Sequence, residues 1–234
     1  MTTATAVREP QRVSTLVARL DAILADRGID AAALPAEAPS QPVTALELAA
    51  ARIPPRYRDA LASHTQVSDW VDEVTRVARL GPSGMRGIAC GPSLLIAGPT
   101  GTGKTHQAYG AVRSLLTAGV RLRWEAVNTP DLYARLRPRQ GHDAERDLAA
   151  LARCPLLILD DLGAAKQSEW TEELTYRLID RRYTEMLPTL ITTNLPTDAL
   201  RDAVGDRVAS RLAEMTRRVI LTGTDRRRHA TAAA

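Results

Sequence analysis

The octapeptide Gly98-Pro99-Thr100-Gly101-Thr102-Gly103-Lys104-Thr105 constrains this chain more than any other stretch of it. It follows the apolar run Ser93–Ala97 and opens a helix-forming segment, Lys104–Thr117, so it reads as the turn between a strand and a helix. Its glycines let the backbone curl until several N–H groups face one point, and the helix start adds its positive dipole end there. That geometry suits a chain of phosphates. In such a loop Lys104 reaches the β and γ phosphates and the Thr105 hydroxyl ligates Mg2+. His106, the next residue, falls near the nucleotide by position alone. The expected ligand of residues 98 to 106 is therefore ATP with Mg2+.

A loop of this kind needs a sheet behind it, and the sequence supplies the pattern. Strands are expected at Leu122–Val127, Pro155–Leu159, Thr189–Thr193 and Arg218–Leu221, with helices at Thr129–Leu136, Glu169–Glu185 and Asp198–Met215. Strands separated by helices imply an α/β fold, a three-layer P-loop domain with a mainly parallel sheet whose ligand edge lies at the C-terminal strand ends. Pro155–Leu159 is continuously apolar, as a strand buried on both faces should be, and it runs into Asp160 and Asp161. Two carboxylates leaving a buried strand are costly unless a cation and hydrogen bonds compensate them, and a metal–phosphate site does so. Asp160 is expected to join Thr105 at the Mg2+, and Asp161 to orient the attacking water. Asn194, leaving Thr189–Thr193, either reaches the γ-phosphate or lytic water or serves as a structural amide in an Asn-Leu-Pro turn. Arg207 and Arg211 share a helix face. They either act in trans on a neighbouring subunit's ATP or form a solvated face paired with Asp202, Asp206 and Glu214; spacing leaves both open.

Upstream, Val13–Arg27 has helical spacing, Ala31–Pro42 reads as a connector, and Val43–Arg52 forms a short helix stopped by Pro54 and Pro55. A further helix is expected with Ser68 as its N-cap, Val71, Val74 and Val77 on one stripe, and Trp70 seating it on the core. Gly81, Pro82, Gly84 and Gly87 then break the chain. The expected division is a helical partner-binding region at 1–80 with a flexible connector near 31–42, an ATPase domain at 81–224, and a basic, Ala-rich tail at 225–234 that carries Arg226, Arg227 and Arg228. With 3% aromatics and no Phe, the core must come from Leu, Ile, Val and Ala, and no base-stacking platform is available. The net charge of +4 permits contact with a polyanion through its backbone. On spacing alone, Lys166 and the Arg181-Arg182 pair are ordinary surface charges that could join such a contact. Cys90 and Cys154 lack zinc-ligand spacing, and Cys154 reads as a small buried residue. No segment has the pattern of a signal peptide or membrane span, so a cytoplasmic protein without membrane contact is expected.

Together these motifs resemble the AAA+ family, and within it the bacterial and phage helicase-loader and insertion-sequence ATP-binding-helper group. The resemblance is carried by the glycine loop, by Leu159-Asp160-Asp161-Leu162-Gly163 and by Leu178-Ile179-Asp180-Arg181-Arg182-Tyr183. Pro188 to Pro196 and Gly205 to Leu212 complete it, and together these motifs run from about Ser93 to Leu221. It implies that Lys104 and Thr105 belong to Walker A, Asp160 and Asp161 to Walker B, Asn194 to sensor 1, and Arg207 to the arginine finger, with Arg211 a second candidate. It further implies an ATP-dependent DNA-replication accessory factor. Such a protein would bind a hexameric replicative helicase through its N-terminal region, self-associate through its ATPase domain, and load the helicase onto single-stranded DNA. A transposition helper that assembles on duplex DNA, or a nucleotide-dependent scaffold with little hydrolysis, would use the same residues. Three departures from the family pattern stand out. Asp161 replaces the commoner Glu, so turnover is expected to be slow without a partner or DNA; no C-terminal lid is evident; and no cysteine-rich zinc module precedes the ATPase domain.

Overall fold

The computed structural model describes residues 26–27, 45–81 and 86–223. Its first described elements from Ala45 on are helix α1 (Ala45–Ala51), a 3-10 turn at Pro55–Tyr57 and helix α2 (Thr65–Val77). A short hairpin, β1 (Arg79–Leu80) against β2 (Arg86–Gly87), leads into β3 (Ser93–Ala97), the glycine loop and α3 (Lys104–Thr117). Then follow β4 (Trp124–Asn128), α4 (Thr129–Leu136), α5 (Ala144–Ala152), β5 (Leu156–Asp160) and α6 (Glu169–Thr184). The last elements are β6 (Thr189–Thr193), α7 (Thr197–Val204), α8 (Asp206–Met215) and β7 (Thr216–Ile220). The main sheet has the order β4-β5-β6-β3-β7, and every neighbouring pair is parallel. Because β6 lies between β3 and β5, its C-terminal end falls between the glycine loop and the acid pair.

Alternation along the strands divides the apolar residues between two cores. Leu94, Ile96, Leu156, Ile158 and Leu190 face α2 and α3, while Leu95, Leu157, Leu159 and Ile191 face the layer built from α4, α5, α6 and α8. This is the three-layer α/β arrangement expected from the strand–helix alternation.

The helices preceding β1 are built into this frame. Trp70 is fully buried and donates from Nε1 to the Pro92 carbonyl at 2.8 Å; Trp124 donates to the Ala49 carbonyl at 3.1 Å. Gln107 of α3 accepts from the His64 backbone N–H at 3.1 Å and donates to Ser63 Oγ at 2.7 Å. Gly110 of α3 lies directly under this segment, where a Cβ would stand 2.3 Å from the Leu61 carbonyl carbon. Residues 45–80, which the sequence groups with an N-terminal region, thus share the core of the nucleotide-binding layers, and the compact unit begins at Thr44.

Some local expectations change. Helix α2 begins at Thr65 behind His64, which makes no side-chain cap, so Ser68 sits inside the helix. The Gln107 clamp on Ser63 and His64 fixes the entry, and a tertiary contact overrides the local cap signal. The mostly helical stretch expected over Asp198–Met215 divides at Gly205, whose φ of 85° and ψ of 156° are not helical. A Cβ there would meet Glu172 Oε1 at 2.2 Å, so the break is where α6 packs closest. The helix expected over Val13–Arg27 is described only at Asp26 and Arg27, and the connector at 31–42 and the Arg226–Arg228 tail lie outside the described residues. No described helix is long and apolar enough to cross a membrane.

The largest correction concerns Arg182, which the sequence presents as a surface charge. It is fully buried. Nη1 donates to the carbonyls of Leu151 (3.0 Å), Ala152 (3.3 Å) and Cys154 (2.8 Å), Nη2 to that of Pro188 (2.8 Å), and Nε to Thr189 Oγ1 (2.8 Å). Leu151 and Ala152 end α5 beyond the reach of its i→i+4 ladder, where Leu151 keeps a turn bond from the Cys154 N–H at 3.2 Å, and their carbonyls form the negative end of its dipole. The guanidinium closes α5 and joins it to the entry of β6. Burial pulls its pKa down to about 10, yet it stays charged at neutral pH. Arg182→Leu takes the guanidinium from four buried carbonyls, of which those of Leu151 and Pro188 keep a backbone N–H from Cys154 and Leu157, and is expected to lower the unfolding free energy by about 3 kcal/mol in urea denaturation. Arg181→Leu, which removes only a surface pair with Glu185, should move the midpoint little. Equal midpoints for the two variants would contradict this role.

Candidate functional site

The glycine loop is shaped by contacts that admit no side chain at its first position. Gly98 has φ of 152°, and a Cβ there would lie 2.3 Å from the Leu221 carbonyl oxygen. Gly103 caps α3 in the left-handed region at φ 95°, ψ 19°. Between them Thr102, nearly buried, donates from its hydroxyl to the Pro99 carbonyl at 2.8 Å and pins the turn. The Lys104 ammonium donates to the carbonyls of Gly98 (2.8 Å) and Pro99 (2.9 Å), which holds it across the mouth of the loop. Thr100, Gly101, Gly103, Lys104, Thr105 and His106 line a cleft of about 450 Å³ together with Asp161 and Asn194. Gly98, Pro99 and Thr102 shape the loop from behind that lining.

Across the cleft Asp160 ends β5 and is held by two hydroxyls. Thr105 Oγ1 lies 3.0 Å from Oδ1 and 3.3 Å from Oδ2, and Thr192 Oγ1 donates to Oδ1 at 2.6 Å. Thr192 also accepts from the Asp161 N–H at 3.0 Å. One hydroxyl therefore orients both acids. Asp161 sits in the left-handed region at φ 54°, a conformation Asp tolerates better than most residues. Its Oδ1 accepts from Asn194 Nδ2 at 3.0 Å. The structure thus brings together Lys104, Thr105, Asp160, Asp161 and Asn194. Arg207 and Arg211 lie outside this chain's own cleft. The Arg207 guanidinium is 3.5 Å over the Tyr176 ring and 3.9 Å from Glu173 Oε2; Arg211 donates to Asp180 Oδ1 at 3.0 Å and lies 4.5 Å over Tyr183.

Three residues in the site are not singled out by the sequence. Thr192 is one; a polar residue inside a strand buried on both faces must find a partner, and that signal was there to read. The others, Arg56 and Tyr57, come from the 3-10 turn and line the cleft from the N-terminal side. Tyr57 stacks on Tyr109 of α3 at 4.6 Å and 13° between planes. Burial, then the charge of Asp160, push the Tyr109 phenol up to about 12, so it remains neutral and acts as a packing platform. Only the rarity of aromatics hinted at this pair.

The phosphate cradle and the convergent hydroxyl–carboxylate pair fit a nucleoside triphosphate and a hard cation. Thr105 Oγ1 and Asp160 would hold Mg2+, which would offset charge on the phosphates when bound. Among the described residues no group of three or more His, Cys, Asp or Glu is placed to hold a metal ion.

Burial raises the Asp160 carboxyl above the usual carboxylate range; the hydroxyls of Thr192 and Thr105 and the Lys104 charge draw it back, while Asp161 pushes it further up. The folded chain therefore holds this proton more tightly than the unfolded one. Ionising the group costs stability as pH rises through its folded pKa, and the cost is absent at lower pH. Asp160→Asn is expected to raise the thermal midpoint of the nucleotide-free protein at pH 7.5, with a gain that shrinks towards pH 4, while ATP turnover is lost. A variant destabilised equally at both pH values would mean that the lost hydrogen bonds outweigh burial.

Residues 89–222 match the family model described as IstB-like ATP binding protein. An IS21 insertion-sequence ATP-binding protein of Pseudomonas aeruginosa is 30% identical over 113 residues, 48% of this chain and 42% of that protein. The replicative helicase loader DnaC of Escherichia coli K12 is 27% identical over 105 residues, 44% of this chain and 42% of that one. The chain thus spans less than half the length of these curated relatives. A crystal structure of the DnaC helicase loader superposes with a TM-score of 0.60 at 26% identity, covering 72% of this chain and all of that one. With the family model matched over more than half of its 234 residues, and a complete P-loop beneath that match, the chain belongs to the IstB-like ATP-binding proteins, AAA+ ATPases related to IS21 helpers and DnaC-type helicase loaders.

Proposed function

We propose that this chain is an ATP-dependent replication accessory factor that binds a hexameric replicative helicase and loads it onto single-stranded DNA. The observation that carries this reading is the 26% identity to a solved helicase loader along the whole of that chain. Helicase contact is assigned to the N-terminal region 1–80. Within that region, residues 45–80 share the core of the ATPase unit.

In this reading Asp161 orients the attacking water and takes up its proton, and Asn194 keeps that carboxylate aimed. Asp161 is one methylene shorter than Glu, so turnover is slow until a neighbouring copy completes the site. Arg207 supplies the missing charge in trans, with Arg211 the second candidate. An arginine of this kind contributes on the order of a thousand-fold to turnover. Arg207→Ala and Lys104→Ala should each be inactive alone, and mixing them should restore part of the ATPase rate, because one interface then combines an intact Lys104 with an intact Arg207. Mixtures that stay inactive would remove Arg207 from the site.

The IS21 relatives and the family model favour a second reading, a transposition helper that assembles on duplex DNA with the same catalytic parts. Light scattering during size-exclusion chromatography separates the two. The protein is mixed with its host's replicative helicase, with and without ATP, beside Lys104→Ala. A co-eluting complex that depends on ATP and fails with Lys104→Ala is the expected result. With no complex in either condition, and long ATP-dependent assemblies on duplex DNA, the transposition reading would stand instead.

A further inference from the structure

Asp161 stands in a backbone conformation that its surroundings must hold. Its φ of 54° lies in the left-handed region, which a residue with a Cβ keeps only where neighbouring groups fix it. Two peptide planes flank the residue, and all four of their polar atoms are engaged. In the plane before Asp161, the Asp160 carbonyl accepts from Thr129 Oγ1 at 3.0 Å, and the Asp161 N–H donates to Thr192 Oγ1 at 3.0 Å. In the plane after it, the Asp161 carbonyl accepts from the Ala164 N–H at 3.1 Å, and the Leu162 N–H donates to the Thr192 carbonyl at 2.8 Å. One peptide further on, Thr193 Oγ1 donates to the Leu162 carbonyl at 2.8 Å and accepts from the Leu195 N–H at 3.2 Å.

Three threonines carry most of this. Thr192 and Thr193 are consecutive in β6, so their side chains leave opposite faces of the sheet and reach the acid turn from both. Thr129 opens α4 directly after Asn128, which pairs in register with Asp160. Its hydroxyl serves the end of the neighbouring strand, and α4 has no side-chain cap from Asn128. All three threonines are at most 1% exposed, so no solvent competes for these hydroxyls and each keeps its carbonyl or carboxylate acceptor. Thr192 also donates to the Asp160 carboxylate, and its loss would disturb both acids. Thr129 and Thr193 act through backbone atoms alone and do not line the cleft. Without such restraints Asp161 would return to negative φ. That is a turn of more than about 100°, and it would carry the carboxylate away from Asn194 Nδ2 and the cleft.

We propose that Thr129 and Thr193 are positioning residues for ATP hydrolysis: their buried hydroxyls lock the Asp160–Leu162 backbone so that the Asp161 carboxylate stays aimed into the cleft. This rests on the reading in which Asp161 orients the attacking water. It extends the site to two side chains that never meet the nucleotide. Binding of ATP, which depends on the glycine loop and Lys104, does not pass through them. Aim of the acid does, and a misplacement of about 1 Å can cost on the order of a hundred-fold in rate.

Thr129→Val and Thr193→Val keep the side-chain shape and remove the hydroxyl. In the full chain, with Mg2+ and radiolabelled ATP, each is expected to lower the single-turnover rate about ten-fold or more, while the Kd for a fluorescent ATP analogue stays within about two-fold. Thr129→Ser and Thr193→Ser restore the hydroxyl and should recover most of the rate. Hydrogen exchange without nucleotide, read by mass spectrometry, should be about five-fold faster or more over residues 160–164 in the valine variants. Thr216→Val also removes a hydroxyl-to-carbonyl bond, to Leu212, but at the far end of the sheet beside Ser93, and should keep the parental rate. Asp161→Asn leaves the backbone bonds in place and should abolish turnover. If it does so while the valine variants hydrolyse at the parental rate, the proposal is overturned and the reading of Asp161 stands. If Asp161→Asn turns over normally, that reading falls and the proposal falls with it. Unchanged exchange over 160–164, no recovery with serine, or an equal loss in Thr216→Val would each overturn the proposal and reduce these hydroxyls to packing.

Discussion

The Asp160 carboxylate, half-buried at the end of β5, is the interaction on which the rest of the site depends. A carboxylate there is tolerable only if hydroxyls reach it from both sides, and they come from separate elements: Thr105 from the start of α3 and Thr192 from β6. Those reaches require the order β5-β6-β3, so the chemistry of one acid and the topology of the sheet are the same constraint. Because Thr192 also accepts from the Asp161 N–H, the second acid is oriented by the hydroxyl that steadies the first. Preorganisation at this edge comes from packing within the sheet, with no lid following β7 among the described residues.

Arg182 plays the converse part at the other end of the sheet. It is a buried cation whose partners are four carbonyls and a hydroxyl, with no carboxylate among its hydrogen-bond acceptors. It gathers the C-terminus of α5, the entry to β5 at Cys154 and the entry to β6 at Pro188. The register of β5 against β6 is therefore fixed from below by Arg182 and from above by Thr192 and Asp160. Both ends use a charge that burial disfavours, which makes them costly to change one residue at a time. The functional end keeps one side open to ligand; the structural end is closed.

That the glycine loop, the acid pair and Asn194 share one cleft was legible in the sequence, because each directly follows a strand of a parallel sheet and so leaves it at the same edge. The core strands were legible because burial on both faces demands uninterrupted apolar residues. Arg182 was not, since a buried arginine satisfied by carbonyls leaves no partner residue to read, and its neighbours Arg181 and Tyr183 look like any exposed helix. Ser68 misled for a related reason: the true helix start is fixed by Gln107, some forty residues later. Arg56 and Tyr57 escaped because they reach the cleft through a fold-back of residues 45–64 onto α3, which no local pattern announces. Contacts that join distant segments through backbone atoms are the ones a sequence hides.

The same distinction bears on Arg207 and Arg211, which spacing alone could not separate. Arg211 is a third exposed, donates to Asp180 at 3.0 Å and covers Tyr183, so releasing it breaks a hydrogen-bonded ion pair between α6 and α8. Arg207 is 63% exposed, its carboxylate neighbour is 3.9 Å away, and its main contact is the face of Tyr176. An exposed cation–π contact contributes about 0.5–1 kcal/mol and a loose surface pair less. Both are small, so in the proposed assembly Arg207 would leave its own surface at little cost to the helix that carries it. Arg211 cannot do so without disturbing the packing of α8 on α6. The proposed trans role therefore asks less of Arg207 than of Arg211, whose ion pair also holds α8 on α6.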